Sequence, residues 1–488
     1  MAIRHYIADA DNTISNAFKD NLSTRATGSN MGQADVSEVF SIYARATTSS
    51  AEISRVLTKF DVSSISSDRA AGIIPSEGNV SFYLRLYNAE TTKTVPKNFK
   101  IVVSAISRSW SEGDGLDLEN YKDLDSSNWI SASQGIPWNK QGGDYHASPR
   151  FEQSFETGLE DLDLNVTSLV EEWIAGTKIN YGFGVQLTAS QEASSSANLE
   201  GVEQSYYTKR FFARGTQYFF KKPVIEARWN SSTQDDRGDF YYSSSLAPAS
   251  DNLNTIYLYN FVRGRLTNIP AIGTGEIFVN LYSGSSSPTG SKLVLHDGKT
   301  NVTGGFVSTG IYSCSVAITS AATPLKTLFD VWHNDSAVQY FTGTIKPAVH
   351  YAAGASTGNT RYVTKIKNLR SKYFSEEEAR FNVYVRNKNW SPTIYTVAST
   401  EIENTIIPSA SYRVYRVLDG YNAIPHGTGS DLQTILSYDV SGNYFNLDMS
   451  LLEPGYEYGI KLAFYDSQRQ SWIEQDQKFL FRVEDYEH

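Results

Sequence analysis

The sequence holds a single cysteine, Cys314, among 488 residues. That excludes an intramolecular disulfide framework and any cysteine-cluster metal site. Its neighbours alternate as Tyr312, Cys314, Val316 and Ile318, the pattern of a small core residue on a strand. Histidine is also scarce. His5, His146, His296, His333, His350, His426 and His488 are scattered, and none lies within helical reach of another to form a local metal pair. No window approaches the ~18 apolar residues of a membrane-crossing helix, so no membrane contact is expected. The opening Met1–Tyr6 runs into Asp9 and Asp11 without the apolar segment of a secretory leader. Synthesis in a cytoplasm is the expectation. A basic surplus is missing too: Lys+Arg is 43 against Asp+Glu 53, a net charge of −10. Holding a phosphate backbone needs the opposite balance, so no nucleic-acid partner is expected.

What is present is β-forming sequence. Aromatic residues make up 13% of the chain and charged residues only 20%. With long Ser/Thr/Asn/Gly stretches, that balance reads as all-β. The length fits three or four domains at about 100–200 residues each. Apolar residues alternate at Val39–Tyr43, at Phe82, Leu84 and Leu86, and at Phe99, Ile101 and Val103, as on half-buried strands of a sandwich. One short helix is predicted where Val166, Leu169, Val170 and Trp173 take helical spacing, with Thr167 as N-cap and Gly176 as stop. A strand pair is predicted at Tyr206–Phe212 and Val224–Trp229. Polar breaks at 231–238 and 352–359 divide the rest. The clearest single strand alternates Tyr456, Tyr458, Ile460, Leu462 and Phe464 after a Glu453-Pro454-Gly455 turn.

The expected organisation is therefore an N-terminal arm over 1–35, a jelly roll over 36–230, a β-sandwich over 231–351 and a C-terminal β-sandwich over 352–488. The arm is too polar to build its own core. Its apolar points Ile14, Phe18 and Leu22 sit at i, i+4 and i+8, as on a short helix docked against a partner. They are the predicted interface residues.

A search for chemistry finds little. Gly298-Lys299-Thr300 is similar to the end of a phosphate loop, but Leu293 stands where its first glycine belongs, and Asp297-Gly298 suits a hairpin turn. There is no G-x-S-x-G and no H-E-x-x-H. The loop from Glu112 to Asp117 has the oxygen count for calcium but lacks the ligand spacing of an EF-hand. Trp110, Trp129, Trp138 and Trp173 could stack on sugars, yet strand ends and a helix stripe suit core packing better. No catalytic residue, cofactor or metal ligand is predicted, and an enzyme is not expected.

Two resemblances add to this. Ser109-Trp110-Ser111-Glu112-Gly113, Ser127-Asn128-Trp129, Gly142-Gly143-Asp144-Tyr145, the run from Leu164 to Gly176, and Asn180-Tyr181-Gly182-Phe183-Gly184 resemble the DNRLRE-type jelly roll, itself similar to carbohydrate-binding modules. Asn165 replaces the usual Asp of that pattern. The resemblance implies the fold; sugar binding does not travel with it. Asp11-Asn12-Thr13-Ile14, Thr27–Gly32, Asp235-Asp236-Arg237 and Asn254–Asn260 resemble virion structural proteins of large tailed bacteriophages. This implies a non-enzymatic chain in the neck, tail, baseplate, fibre or capsid surface, assembled in the host cytoplasm. Its expected partners are other virion proteins and its own copies in a symmetric homo-oligomer. The alternatives are a protein that contacts host surface glycan and, less well suited to the chain that remains after three β units, a polysaccharide-degrading enzyme.

Overall fold

The computed structural model describes residues 2–486 except 93, 118–122, 244–245, 247, 296–297, 319–324, 336–337, 348–360, 392–393 and 395–403. The linker read at 352–359, the domain edge at 352, and His296, His350 and His488 fall outside the described residues. Two compact units emerge: Ala2–Asn230 with Gly429–Gln433, and Ser231–Thr428 with Thr434–His488. Both are built from β-sandwiches, and the fold class is all-β.

The first unit is a two-sheet sandwich. Its strands are β1 (Ile3–Ile7), β2 (Ala10–Ser15), β3 (Val36–Tyr43), β4 (Ala51–Lys59), β5 (Ser81–Leu86), β6 (Phe99–Ile106), β7 (Ser131–Ser133), β8 (Ile136–Pro137), β9 (Tyr145–Phe155), β10 (Leu162–Asn165), β11 (Phe183–Leu187), β12 (Tyr206–Phe212) and β13 (Val224–Arg228). One sheet runs β1-β13-β5-β10; the other runs β12-β3-β4-β11-β6-β9, with β2 added beside β4. All of these pairs are antiparallel. The alternation at Phe82, Leu84, Leu86 and at Phe99, Ile101, Val103 faces the core between the sheets. The two segments predicted to pair with each other, 206–212 and 224–229, lie instead in opposite sheets. Alternation marks a buried face and carries no information about the neighbour.

Two helices belong to this sandwich where one was predicted. The expected one is α2 (Thr167–Ile174), with Leu169, Val170 and Trp173 buried and Gly176 in the left-handed region, φ 70°, at its end. Thr167 is not its cap. Its hydroxyl donates to Asn165 and accepts the Phe82 backbone N–H at 2.8 Å, tying the helix to β5. The unpredicted helix is α1 (Val62–Ala70), capped by Asp61. It buries only Ile65, so it has no apolar stripe to read. A bidentate Arg69–Glu171 pair, 2.7 Å on both sides, joins α1 to α2.

The largest departure concerns residues 1–35. They do not form a separate arm with a helical edge. β1 pairs with β13 from Ile3 to Ile7, and β2 pairs with β4 from Ala10 to Ser15. Ala2, Tyr6 and Ala8 enter the main core. A polar segment with isolated apolar points can be held largely by backbone pairing to strands distant in sequence, which composition does not reveal.

The second unit carries two sandwiches. The first comprises β14 (Asn254–Tyr259), β15 (Phe261–Val262), β16 (Arg265–Leu266), β17 (Ile277–Ser283), β18 (Val302–Ser308), β19 (Ile311–Val316), β20 (Leu328–His333) and β21 (Gln339–Ile345). Its sheet runs β14-β19-β18-β17-β20-β21 and folds over its own core. The fold is at Gly304-Gly305, where β18 leaves Ile277 of β17 and takes up Ser313 of β19. A Cβ on Gly304 would meet the Ser313 carbonyl at 2.5 Å. Cys314 is in that core, and burial pushes its thiol up to about 12.

The second of the two comprises β22 (Tyr362–Ile366), β23 (Lys372–Phe374), β24 (Glu378–Asn387), β25 (Ala410–Arg416), β26 (Asn422–Ile424), β27 (Ser437–Asp439), β28 (Gly442–Asp448), β29 (Glu457–Asp466), β30 (Ser471–Glu474) and β31 (Phe479–Glu484). Its sheets run β22-β24-β28-β27 and β23-β31-β29-β25-β26, with β30 beside β29. Tyr458, Ile460, Leu462 and Phe464 are buried as their alternation requires, and Gly455 supplies the positive φ of the preceding turn. Tyr412 stacks on Phe445 with ring centres 4.1 Å apart.

Candidate functional site

Some of the residues that carried the two resemblances, from 11–12, 30–32, 112–113 and 127, meet at one node of the first sandwich. The Asn12 side-chain amide donates to Ser127 O and Oγ at 2.9 and 2.7 Å, and its oxygen accepts the Met31 N–H. Asn30 donates to the carbonyls of Ser127 and Glu112 and accepts from the N–H groups of Gly32 and Gly115. Glu112 accepts the Asp11 N–H at 2.8 Å and is bound bidentately by Arg214, at 3.0 and 2.8 Å. The Arg214 N–H in turn donates to Asp11. Glycine is obligatory at Gly115, where a Cβ would lie 2.0 Å from the Asn30 carbonyl. Burial raises the Asp11 carboxyl to about 7, against the lowering effect of the Arg214 N–H.

This node settles where the sequence-predicted site residues fall. The Glu112 carboxylate is engaged by a guanidinium and a backbone N–H. Among the described residues, no group of three or more His, Cys, Asp and Glu side chains is placed to hold a metal ion. Ile14 is fully buried on β2, against Ile53, Leu57, Ile106 and Trp129. Phe18 is half-buried, with the Arg25 guanidinium 4.1 Å from its ring centre. Leu22 is 41% exposed in a turn at φ 50°. The three residues do not form one edge, so the predicted docking surface is not assembled.

Trp129, Trp138 and Ile14 belong to a smaller apolar cluster, with Trp110 packed against it. Trp110 donates its indole N–H to Tyr181 O and Trp138 to Asn128 O, both at 2.8 Å. Trp173 is in the main core, its ring 4.7 Å from that of Phe183.

Beside the smaller cluster, the first sandwich has a cleft of about 1140 Å³ lined by residues of β4, β9 and β11 and by the loops 139–144 and 189–199. Arg55 stands in it. Its guanidinium is bound by Glu192 through three contacts of 2.9–3.1 Å and donates to the Gly142 carbonyl. It also lies 5.4 Å from the Trp129 ring centre. Tyr145 donates to the Gly142 carbonyl, and burial pushes its phenol up to about 12. Gly184 makes room for that ring, since a Cβ there would meet it at 2.0 Å. Asp144 accepts the N–H groups of Asn139 and Lys140 and pairs with Arg108. Both carboxylates lining the cleft, Asp144 and Glu192, are thus held by arginines. Arg25, Lys140, Arg150 and His146 also line it. The cleft is a polar, cation-rich recess on an acidic chain.

Sequence reading missed Arg55 and Glu192. A signal existed for Arg55, the one charge inside the apolar run from Ile53 to Leu57. Glu192 lies in a Ser/Ala/Glu loop that resembles solvated sequence, and only the fold brings it to Arg55.

No family model matches this chain, and no curated protein matches it. Among solved structures it is similar to Titin-A168169, at 8% identity over 53% of this chain and 98% of that one, with a TM-score of 0.15. It is likewise similar to the N-terminal Ig1-2 module of the Drosophila receptor protein tyrosine phosphatase DLAR, at 6% identity over 48% and 91%, TM-score 0.15. A third is DIP-gamma IG1+IG2, at 11% identity over 51% and 94%, TM-score 0.13. The sandwich architecture given above rests on the strand pairing itself.

Proposed function

We propose that this chain is a non-enzymatic structural protein of a phage particle, located in the neck, tail, baseplate, fibre or capsid surface and assembled through its β-sandwich domains. One observation carries the reading. Of the virion-like opening, Asp11 and Asn30 are hydrogen-bonded to Glu112 of the Trp-Ser-Glu-Gly turn, Gly32 packs tightly on that turn, and Asn12 is hydrogen-bonded to Ser127 beside it. Their chemistry builds architecture and leaves no reactive group presented. The arm is not part of the proposal; assembly falls to strand edges and sheet faces. The test is quantitative mass spectrometry of purified particles from the source phage. The expected result is a fixed copy number per particle, retained through density-gradient purification. Abundance in the lysate with absence from particles would overturn the reading.

The cleft favours a second reading, contact with a host surface glycan. Arg25, Lys140, Arg150 and His146 around a recess whose carboxylates are both paired suit an acidic polysaccharide more than a neutral one. Titration with acidic and neutral oligosaccharides, followed by amide shifts or calorimetry, tests it. Binding of acidic sugars that disappears in Lys140→Glu supports it. No binding by the folded chain excludes it.

A further inference from the structure

The first sandwich of the second unit ends its sheet in two edges, β14 and β21, that are finished differently. β14 is capped. The Asp236 N–H donates to Thr255 O, its carboxylate accepts the Thr255 N–H, and Arg237 donates to Tyr257 O. β21 pairs with β20 along its whole length on one side. On the other side, among the described residues, no hydrogen bond reaches its backbone.

An open edge is a template for another strand, and proteins usually blunt such edges with charge or proline. That protection is visible elsewhere in this chain. The edge strand β9 carries Pro149, Arg150 and Glu152, β10 carries Asp163, and β22 carries Lys365. β21 reads Gln339-Tyr340-Phe341-Thr342-Gly343-Thr344-Ile345, with no charge, no proline and a run of strong β formers. Phe341 is 41% exposed on it.

We infer that β21 is a self-pairing edge, joining β21 of a second copy of this chain antiparallel about a two-fold axis through Thr342. The sequence is complementary to itself in that register. Thr342 faces Thr342, Phe341 faces Gly343, and Tyr340 faces Thr344, an aromatic against a β-branched residue. The edge itself sets no charge against that occupant. Copies carrying a net charge of −10 repel, and they meet at least cost along an edge with no charge of its own. A lysine or glutamate on the axis position would face the same charge of the second copy, and Thr342 places none there. This inference goes beyond the particle reading: it names one contact and holds for the free chain whether or not the chain is a virion protein.

Sedimentation of the full chain from micromolar to millimolar concentration tests it. Wild type should shift from 54.3 kDa toward twice that mass as concentration rises. Thr342→Lys and Thr342→Glu should each stay at 54.3 kDa with wild-type melting, and their equimolar mixture should recover the doubled mass. Thr342→Cys tests the same contact should either charged variant fail to fold. Under mild oxidation it should form a disulfide-linked dimer that wild type, whose Cys314 is buried, does not. A wild type monomeric at every concentration overturns the inference. So do charged variants that associate as wild type does, or a Thr342→Cys dimer that never crosslinks.

Discussion

Replacing Ile14 by alanine separates two accounts of the N-terminal segment. If residues 1–35 were a docking arm, the substitution would leave every melting transition in place and weaken assembly alone. The fold requires the opposite. Ile14 is fully buried and packs against Ile53, Leu57, Ile106 and Trp129, with β2 hydrogen-bonded to β4 on either side. Removing a buried isoleucine side chain to Cβ costs about 2–5 kcal/mol, including the cavity left behind. In a unit of this size, 1 kcal/mol shifts the midpoint by roughly 2–4 °C, so the first-unit transition should fall by about 4–20 °C. Leu22→Ala is the internal control. At 41% exposure in a turn, its effect should stay within about 0.5 kcal/mol. Differential scanning calorimetry of the full chain, with the two-sandwich unit as reference transition, reads both. An Ile14→Ala transition within a degree of wild type would refute the placement of β2.

Two more perturbations probe buried charge in the same unit. Lys209 is 1% exposed, donates to Asn88, Gly158 and Glu160 oxygens at 2.6–3.0 Å, and has its Nζ about 5 Å from the ring centres of Phe155 and Phe211. Lys209→Met should cost about 1–3 kcal/mol by orphaning these oxygens, read as a lowered denaturation midpoint. Burial lowers the Lys209 ammonium to about 8, so this site gains stability as pH rises through 8 toward the ordinary lysine value, and the methionine variant should lose that rise. Asp11 behaves in the reverse sense. Its carboxyl is raised to about 7, chiefly by burial, so its contribution is full below the ordinary carboxylate range and is lost as pH climbs to 7. Asp11→Asn should flatten the stability profile between pH 4 and 7, by up to about 1.4 kcal/mol per pH unit. A profile that keeps its wild-type slope would show that Asp11 is ionised throughout.

The parts of this fold legible in the sequence are those where one residue's environment depends only on its neighbours along the chain. Phe82, Leu84 and Leu86 alternate because one face of β5 meets the core, and α2 has an apolar stripe because Leu169, Val170 and Trp173 turn the same way. The turn at Glu453-Pro454-Gly455 is legible because Gly455 needs a positive φ that few other residues tolerate. What escaped depends on partners distant in sequence. β2 reads as polar arm because its buried Asp11 and Asn12 are bound by residues about 100 or more positions away, Glu112, Ser127 and Arg214. α1 escaped because its one buried residue, Ile65, makes no pattern. The cleft escaped because Arg55 and Glu192 are 137 positions apart.

The same distinction explains why motif resemblance and chemistry point in different directions here. Asn30, Gly32, Glu112, Gly115 and Asp144 are polar or small residues of the kind that mark an active site when they recur in a short pattern. Each is fixed by a geometric demand of the fold. Asn30 bridges four backbone groups, Gly115 avoids a 2.0 Å collision, and Asp144 gathers two N–H groups and a guanidinium. Asn30 has both amide protons and both oxygen lone pairs engaged, and Asp144 has three of about four acceptor sites filled, so little of either is left for a substrate. Polar residues that stay unsaturated at the rim, such as Lys140 in the cleft, are then the ones on which binding can act. These are surface positions with no internal contact to dictate their identity, and they carry no pattern along the chain. What this fold leaves open among the described residues is the cation-rich recess on the first unit and the outer edge of β21 on the second, and the glycan and self-pairing proposals rest on these.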